Sequence, residues 1–208
     1  MADQWRGSRF ISYPYKRFQD AKMAEIAKER VVIDIGGGGR FQKWAREYEP
    51  LFANCDYKTL DYDPTTNPDI VGDIHELPLP DASADAIICY SVLEHVENPN
   101  KAASELRRVL KPGGKLLIYV PSIYPYHSRN AHYKDYWRFF DDTLLSLFDG
   151  CSVVELQKVG GYFRALFFFM PAQHHLRWFL DPLSYLLDTL LLTHKRTTTS
   201  GYIVYAEK

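Results

Sequence analysis

Cysteine is scarce in this chain of 208 residues: Cys55, Cys89 and Cys151 are the only three, and no Cys-x-x-Cys pair occurs. That excludes a zinc ribbon or a thioredoxin-type redox pair, and an odd, sparse set of thiols fits a reducing compartment. A surplus of either charge is also missing. Lys and Arg number 25 against 26 Asp and Glu, a formal net charge of −1. Duplex-binding domains carry a basic excess to neutralise phosphates, so no nucleic-acid partner is expected. No run reaches the ~18 consecutive apolar residues of a membrane span. The opening MADQWRGSRFISYPYKRF lacks the apolar core of an export signal, and a cytoplasmic location is expected. Internal repeats and low-complexity tracts are absent too. What remains is an ordinary folded profile, 46% hydrophobic and 25% charged, long enough to bury a core of its own. Aromatics reach 15%, with Tyr 15 and Phe 12, and many of them lie between Tyr124 and Phe179.

Short apolar runs alternate with helical patterns. VVIDIG (31–36), KTLDYD (58–63), DIVGDI (69–74), ADAIICYS (84–91) and KLLIYVP (115–121) read as strands, several of them apolar on both faces as in a parallel sheet. Helices are expected over 17–29, 41–49 and 141–150. Another should start at Asn98-Pro99, where Asn98 can accept from an early N–H and Pro99 needs no donor partner. SVVELQKV (152–159) and GYIVYAEK (201–208) complete the set. The expected fold is α/β and doubly wound, a mostly parallel seven-stranded sheet with an apolar helical insertion before the last strand.

The sharpest local feature is Asp34-Ile35-Gly36-Gly37-Gly38-Gly39, after a strand and before a helix. Open α/β sheets bind ligands beyond the carboxyl ends of their strands, and glycines there let backbone N–H groups approach the ligand. A dinucleotide fingerprint needs a third glycine at Phe41 or Gln42, and a P-loop needs a following Gly-Lys-Ser/Thr; neither is present. A nicotinamide-dependent oxidoreductase is therefore disfavoured.

DIGGGGR resembles the first motif of class I S-adenosylmethionine (SAM) dependent methyltransferases, DxGxGxG, with Asp34, Gly36 and Gly38 in place and Arg40 where the last glycine is common. LDYDP (60–64) resembles the acidic end of that family's second strand, and VGDIHELPLPDASADAIICYSVLEHVENPNKAASELRRVLKPGGKLLI resembles its middle. The resemblance, strong over 30–120, implies a SAM cofactor. It implies that Asp61, followed by Tyr62, holds the ribose hydroxyls, that Asp73 and Ile74 address the adenine, and that Ser91 stands beside the sulfonium. Asp34 is expected to shape the loop or touch the cofactor. His95 reads as a local hydrogen-bonder.

Acceptor groups are expected after the fifth strand, in PSIYPYHSRNAHYKDYWRFFDD (121–142), which resembles an H…DYWRF segment in one branch of the family. His127 and His132 are the base candidates, with His127 nearer the sheet edge, and Asp135 is placed to orient a histidine or pair with Arg138. A rigid aromatic lid is the competing reading. No metal site is expected, since nothing in the spacing of His127, His132 and Asp135 demands one. The expected organisation is one domain: a helical segment (1–29), a SAM-binding core (30–120), an acceptor-side stretch (121–160), an apolar insertion (161–193) and a last strand (201–208). Pro171 and Pro182 are expected to break the insertion, which offers a leucine-rich face to a membrane surface, a lipid-like acceptor or a second copy. The expected activity is methyl transfer to oxygen or nitrogen of a small-molecule, lipid-linked or glycan-linked acceptor. A SAM-binding scaffold without catalysis is the alternative.

Overall fold

The computed structural model describes residues 13–41, 43–128, 133–171 and 173–208. Its centre is a seven-stranded sheet in the order β3-β2-β1-β4-β5-β7-β6. The strands are β1 (Val31–Ile35), β2 (Asp56–Asp61), β3 (Ile70–Val71), β4 (Ala84–Tyr90), β5 (Leu110–Pro121), β6 (Val153–Lys158) and β7 (Gly201–Glu207). Pairing is parallel from β3 through β5, while β7 runs antiparallel to both β5 and β6. The chain steps outward from β1 to β3, then returns to lay β4 on the other side of β1. That reversal opens a crevice at the carboxyl ends of β1 and β4, where such sheets take their ligands.

Both faces of the sheet are covered, which explains the nearly continuous apolar runs. Alternation along β4 sends Ile87 and Cys89 to one layer with Ala102, Leu106 and Val109 of α2 (Pro99–Val109) and Leu144 and Leu147 of α3 (Asp141–Leu147). Ala86, Ile88 and Tyr90 go to the other, with Tyr15, Met23 and Ile26 of α1 (Pro14–Ile26) and with Tyr48 and Phe52. Asn98 caps α2 as expected, accepting from the Lys101 N–H at 3.0 Å with Pro99 in the first turn.

Several local expectations are corrected. The first helix starts three residues earlier than 17, because Pro14 supplies a helical φ at the first turn. The stretch after the glycine loop is a 3-10 helix, Lys43–Phe52, rather than an α-helix over 41–49. Pro50 lies inside it, with no N–H to donate and a ring that would clash with the carbonyl four residues back in an α-helix. The third strand shrinks to Ile70–Val71, since the Asp69 carboxylate takes the Thr59 N–H at 2.8 Å in place of a backbone partner.

Pro182 does not break the insertion. It lies inside α5 (Gln173–Leu190), which follows the short α4 (Tyr162–Phe167). α5 is inverted relative to an ordinary surface helix. Asp181, Ser184 and Asp188 face inward, while Leu186, Leu190, Leu191 and Leu192 are exposed and Trp178 is 78% exposed. The acids are satisfied inside: Asp181 meets the buried Arg164 guanidinium at 3.3 Å, and Asp188 accepts from the N–H groups of Gly161 and Phe163 at 2.9 Å each. Between this pair of helices, the end of β6 and the start of α1 lies a cavity of about 230 Å³ lined by Tyr15, Lys158, Gly160, Arg164, Tyr185 and Asp188.

Candidate active site at the carboxyl edge of the sheet

The glycine loop leaves β1 with Gly36 at φ +73° and Gly38 at φ +68°, backbone states that favour glycine. The loop is also crowded. A Cβ on Gly36 would lie 2.2 Å from Val92 Cγ2, and one on Gly37 would lie 2.3 Å from Asp34 Oδ2. Asp34 is buried beneath the loop and accepts from the Tyr57 hydroxyl at 2.7 Å. Burial pushes its carboxyl up to about 6, with the Tyr57 hydrogen bond working against the rise. Its placement is that of a loop-shaping group. Arg40, where the family's last glycine is common, holds its guanidinium 5.8 Å and 5.4 Å from the ring centroids of Phe41 and Tyr57.

Asp61 ends β2 beside this loop. Its Oδ2 accepts from the Gly38 N–H at 3.0 Å and its Oδ1 from the Asp63 N–H at 2.9 Å, so the acid and the loop hold each other. Tyr62 next to it is 72% exposed. Asp73 follows β3 and turns back on itself: its Oδ1 accepts from the His75 N–H at 2.8 Å and faces His75 Nδ1 at 2.7 Å. Burial works to raise its pKa, but the His75 contacts together hold it below the usual carboxylate range. The Ile74 side chain is in the core. Ser91 follows β4 at φ +55°, its N–H donating to the Tyr119 carbonyl at 3.0 Å. Gly36, Gly38, Asp61, Asp73 and Ser91 therefore gather on one edge, around the β1/β4 reversal.

The acceptor-side segment folds over the residues that follow β4. Glu94 contributes its backbone carbonyl to the N–H groups of Tyr136 and Trp137, at 2.8 and 3.2 Å, and Trp137 Nε1 donates to the Val96 carbonyl at 2.8 Å. Asp135, with a side chain 0% exposed, receives Arg138 at 2.5 and 2.7 Å and the His127 N–H at 2.8 Å. Burial works to raise the Asp135 pKa, and these partners more than offset it, leaving the carboxyl below its ordinary range. Arg138 also donates to the carbonyls of Tyr124 and Pro125, at 3.0 and 2.9 Å, so one ion pair shapes the loop around His127. Asp135 is thus a positioning residue for His127 and is enclosed away from any acceptor. His132 lies outside the described residues.

The group that the sequence did not point to is Glu94. Its side chain is 1% exposed, and neither carboxylate oxygen has a hydrogen-bond partner among the described residues. His95 Nε2 and His127 Nε2 each lie 3.8 Å from Glu94 Oε1. His95 holds the Lys134 carbonyl at 2.6 Å through Nδ1, the local bond expected of it. Burial lowers the pKa of His95 despite the Glu94 charge beside it. Only the pattern LEHV marks Glu94 in sequence, and His127 is too distant along the chain for spacing to link them.

A doubly wound sheet with a glycine turn after β1 and acids ending β2 and β3 defines the class I SAM-dependent methyltransferase fold. Residues 33–118 match the family model described as a methyltransferase domain. A probable S-adenosylmethionine-dependent methyltransferase of Mycolicibacterium smegmatis is 30% identical over 107 residues, 43% of this chain and 42% of that one. A ubiquinone/menaquinone biosynthesis C-methyltransferase of Caulobacter vibrioides is 35% identical over 124 residues, 50% of this chain and 49% of that one. The chain thus spans half or less of the length of these relatives. Among solved structures, a SAM-dependent methyltransferase from Archaeoglobus fulgidus superposes with a TM-score of 0.62 at 15% identity, covering 93% of each chain. A phosphoethanolamine N-methyltransferase from Haemonchus contortus, solved in complex with SAM, gives a TM-score of 0.56 at 16% identity over 90% of this chain and 52% of that one. SAM is the cofactor of this class. The residues here fit it: the Gly36–Gly38 turn has no room for side chains on its crowded side, and Asp61 is fixed at the loop with its carboxylate at the strand end.

Proposed function

We propose that this protein is a SAM-dependent methyltransferase acting on an oxygen or nitrogen of a small-molecule, lipid-linked or glycan-linked acceptor. The cofactor supplies the activated methyl group when bound. Gly36 and Gly38 would cradle it, Asp61 would accept from its ribose hydroxyls, Asp73 and Ile74 would face its adenine, and Ser91 would lie near its reacting end. Transfer from a sulfonium is an in-line displacement, so the chain's main task is to orient the acceptor and exclude water. The observation that carries the acceptor assignment is the enclosed cluster of Glu94, His95 and His127, on the strand-end side where the glycine loop lies. These are the groups placed to receive a proton from an acceptor hydroxyl or amine. Turnover of an acceptor panel with labelled SAM tests this. His127→Ala is expected to lower kcat by about a hundredfold, with SAM affinity nearly intact. A carbon acceptor is the second reading, in line with the Caulobacter relative's printed name, and NMR of the methylated product separates the two.

The inverted helix α5 supports a peripheral membrane contact. Leu176, Leu186, Leu190 and Trp178 face outward, and the exposed Lys195 and Arg196 follow them. Apolar side chains beside basic ones suit the headgroup boundary of an anionic leaflet. No helix among the described residues is long and apolar enough to cross a membrane.

A further inference from the structure

We propose that Glu94, His95 and His127 form a binding site for one divalent transition-metal ion. Three separate facts meet there. First, the donor atoms converge: one carboxylate oxygen and two imidazole nitrogens lie within 4.8 Å of one another, with Glu94 Oε1 3.8 Å from each Nε2. Ligands on a tetrahedral zinc stand about 3.3 Å apart, so a small closure of this triangle completes a first shell. Second, both rings present a lone pair. His95 Nδ1 lies 2.6 Å from the Lys134 carbonyl and so carries a proton. His127 Nδ1 lies 3.1 Å from the Pro125 carbonyl and 3.2 Å from Asp135 Oδ2, both closer than the Arg138 nitrogen at 3.4 Å, and carries its proton for the same reason. Each neutral ring then offers Nε2 as an acceptor toward Glu94. Third, the Glu94 carboxylate is buried with both oxygens unsatisfied, which leaves it without the partner a buried acid requires.

Two lone pairs and a carboxylate repel one another unless a proton or a metal cation stands between them, and a cation can engage all three at once. The arrangement also has the outer layer that metal sites use. Asp135 and backbone carbonyls fix the rings from behind, and Arg138 fixes Asp135 in turn. Two imidazoles and one carboxylate suit zinc, manganese or iron(II) better than calcium or magnesium. Three protein ligands leave open positions for water or an acceptor oxygen, and His127 then serves as a ligand rather than as the free base. The site rests on side-chain geometry and does not depend on the identity of the acceptor.

The test is metal binding by the full chain after chelator treatment and dialysis. Zinc is titrated in competition with a chromophoric chelator, and cobalt is followed by its visible ligand-field absorption. One equivalent is expected, with a cobalt spectrum typical of nitrogen and oxygen ligands. Glu94→Gln, His95→Ala and His127→Ala should each weaken binding by about a hundredfold, and Asp135→Asn by about tenfold. His175→Ala, at an exposed histidine outside the cluster, should leave it unchanged. Calorimetry with SAM on the same variants confirms that they remain folded. Absence of one tight equivalent in the wild-type chain overturns the proposal, as does unchanged affinity in a folded His95→Ala, His127→Ala double variant. Either failure leaves the methyltransferase reading standing, because no turnover is measured.

Discussion

Substituting Gly36 by alanine separates two effects that the structure places on one residue. Gly36 has φ +73°, and its added Cβ would sit 2.2 Å from Val92 Cγ2. The left-handed backbone alone costs about 1–2 kcal/mol for an alanine. The overlap forces Val92 or the loop to move, and overpacking of this kind costs about 1–3 kcal/mol. The expected loss is therefore about 2–5 kcal/mol, read as a lower urea midpoint at unchanged slope. At this chain length each kcal/mol lowers Tm by roughly 2–4 °C. Gly113 provides the control, because it has the same φ of +73° and nothing within 4 Å of its added Cβ. Gly113→Ala should lose only the backbone part. Val92→Ala removes the offending methyls, after which the nearest Val92 atom is its own Cβ at 3.4 Å. The Gly36→Ala, Val92→Ala double variant should therefore recover about 1–3 kcal/mol relative to the sum of the single changes. SAM titrations should follow the same order, weakest for Gly36→Ala. If Gly36→Ala costs no more than Gly113→Ala, or if the double variant shows no coupling, contact between the ends of β1 and β4 does not define the loop.

Other outcomes follow from the same geometry. Asp61→Ala should weaken SAM binding by about 1.5–3 kcal/mol, the scale of charged hydrogen bonds; equal calorimetric affinity for variant and parent would remove Asp61 from the ribose site. Asp34 has a folded-state pKa raised from 3.8 to about 6, so its protonated form stabilises the fold below about pH 4, and that contribution is lost as pH rises through about 6. Asp34→Asn keeps a neutral side chain throughout, so its stability relative to the parent should rise by about 2 kcal/mol between pH 4 and pH 7; parallel urea curves at both pH values would refute this. Anionic vesicles should co-sediment with the parent but not with a Leu190→Glu, Trp178→Glu variant. If both stay in the supernatant and sedimentation velocity shows a dimer only for the parent, the outward face of α5 meets a second copy instead.

Local signals carried a large part of this protein in the amino-acid order alone. The β1 strand, the glycine turn, Asp61 at the next strand end and the Asn98-Pro99 start of α2 were legible because each depends on neighbours within a few residues. Apolar runs without alternation indicated a sheet covered on both faces, and both layers are there. The first helix start and the 3-10 stretch were misjudged where Pro14 and Pro50 imposed backbone limits that hydrophobic spacing does not register.

Tertiary structure decided the remainder, for a physical reason common to each case: the meaning of a polar residue depends on what the fold brings against it. Arg164, Asp181 and Asp188 interrupt an apolar stretch in sequence and could be taken for solvated charges. Folding buries them against one another and against helix N–H groups, and this turns Leu186 and Leu190 of α5 outward. For Asp135 the sequence left two partners open, a histidine or Arg138, and the fold brings both the Arg138 guanidinium and the His127 N–H onto the one carboxylate. For Glu94 the sequence offered only the pattern LEHV, because its significance comes from a ring supplied by the segment after β5 and from the absence, among the described residues, of any hydrogen-bond donor to its carboxylate. Short-range order wrote the glycine turn and the strand-end acids into the sequence, whereas the cluster around Glu94 came into being only when the chain beyond β5 folded back over the end of β4.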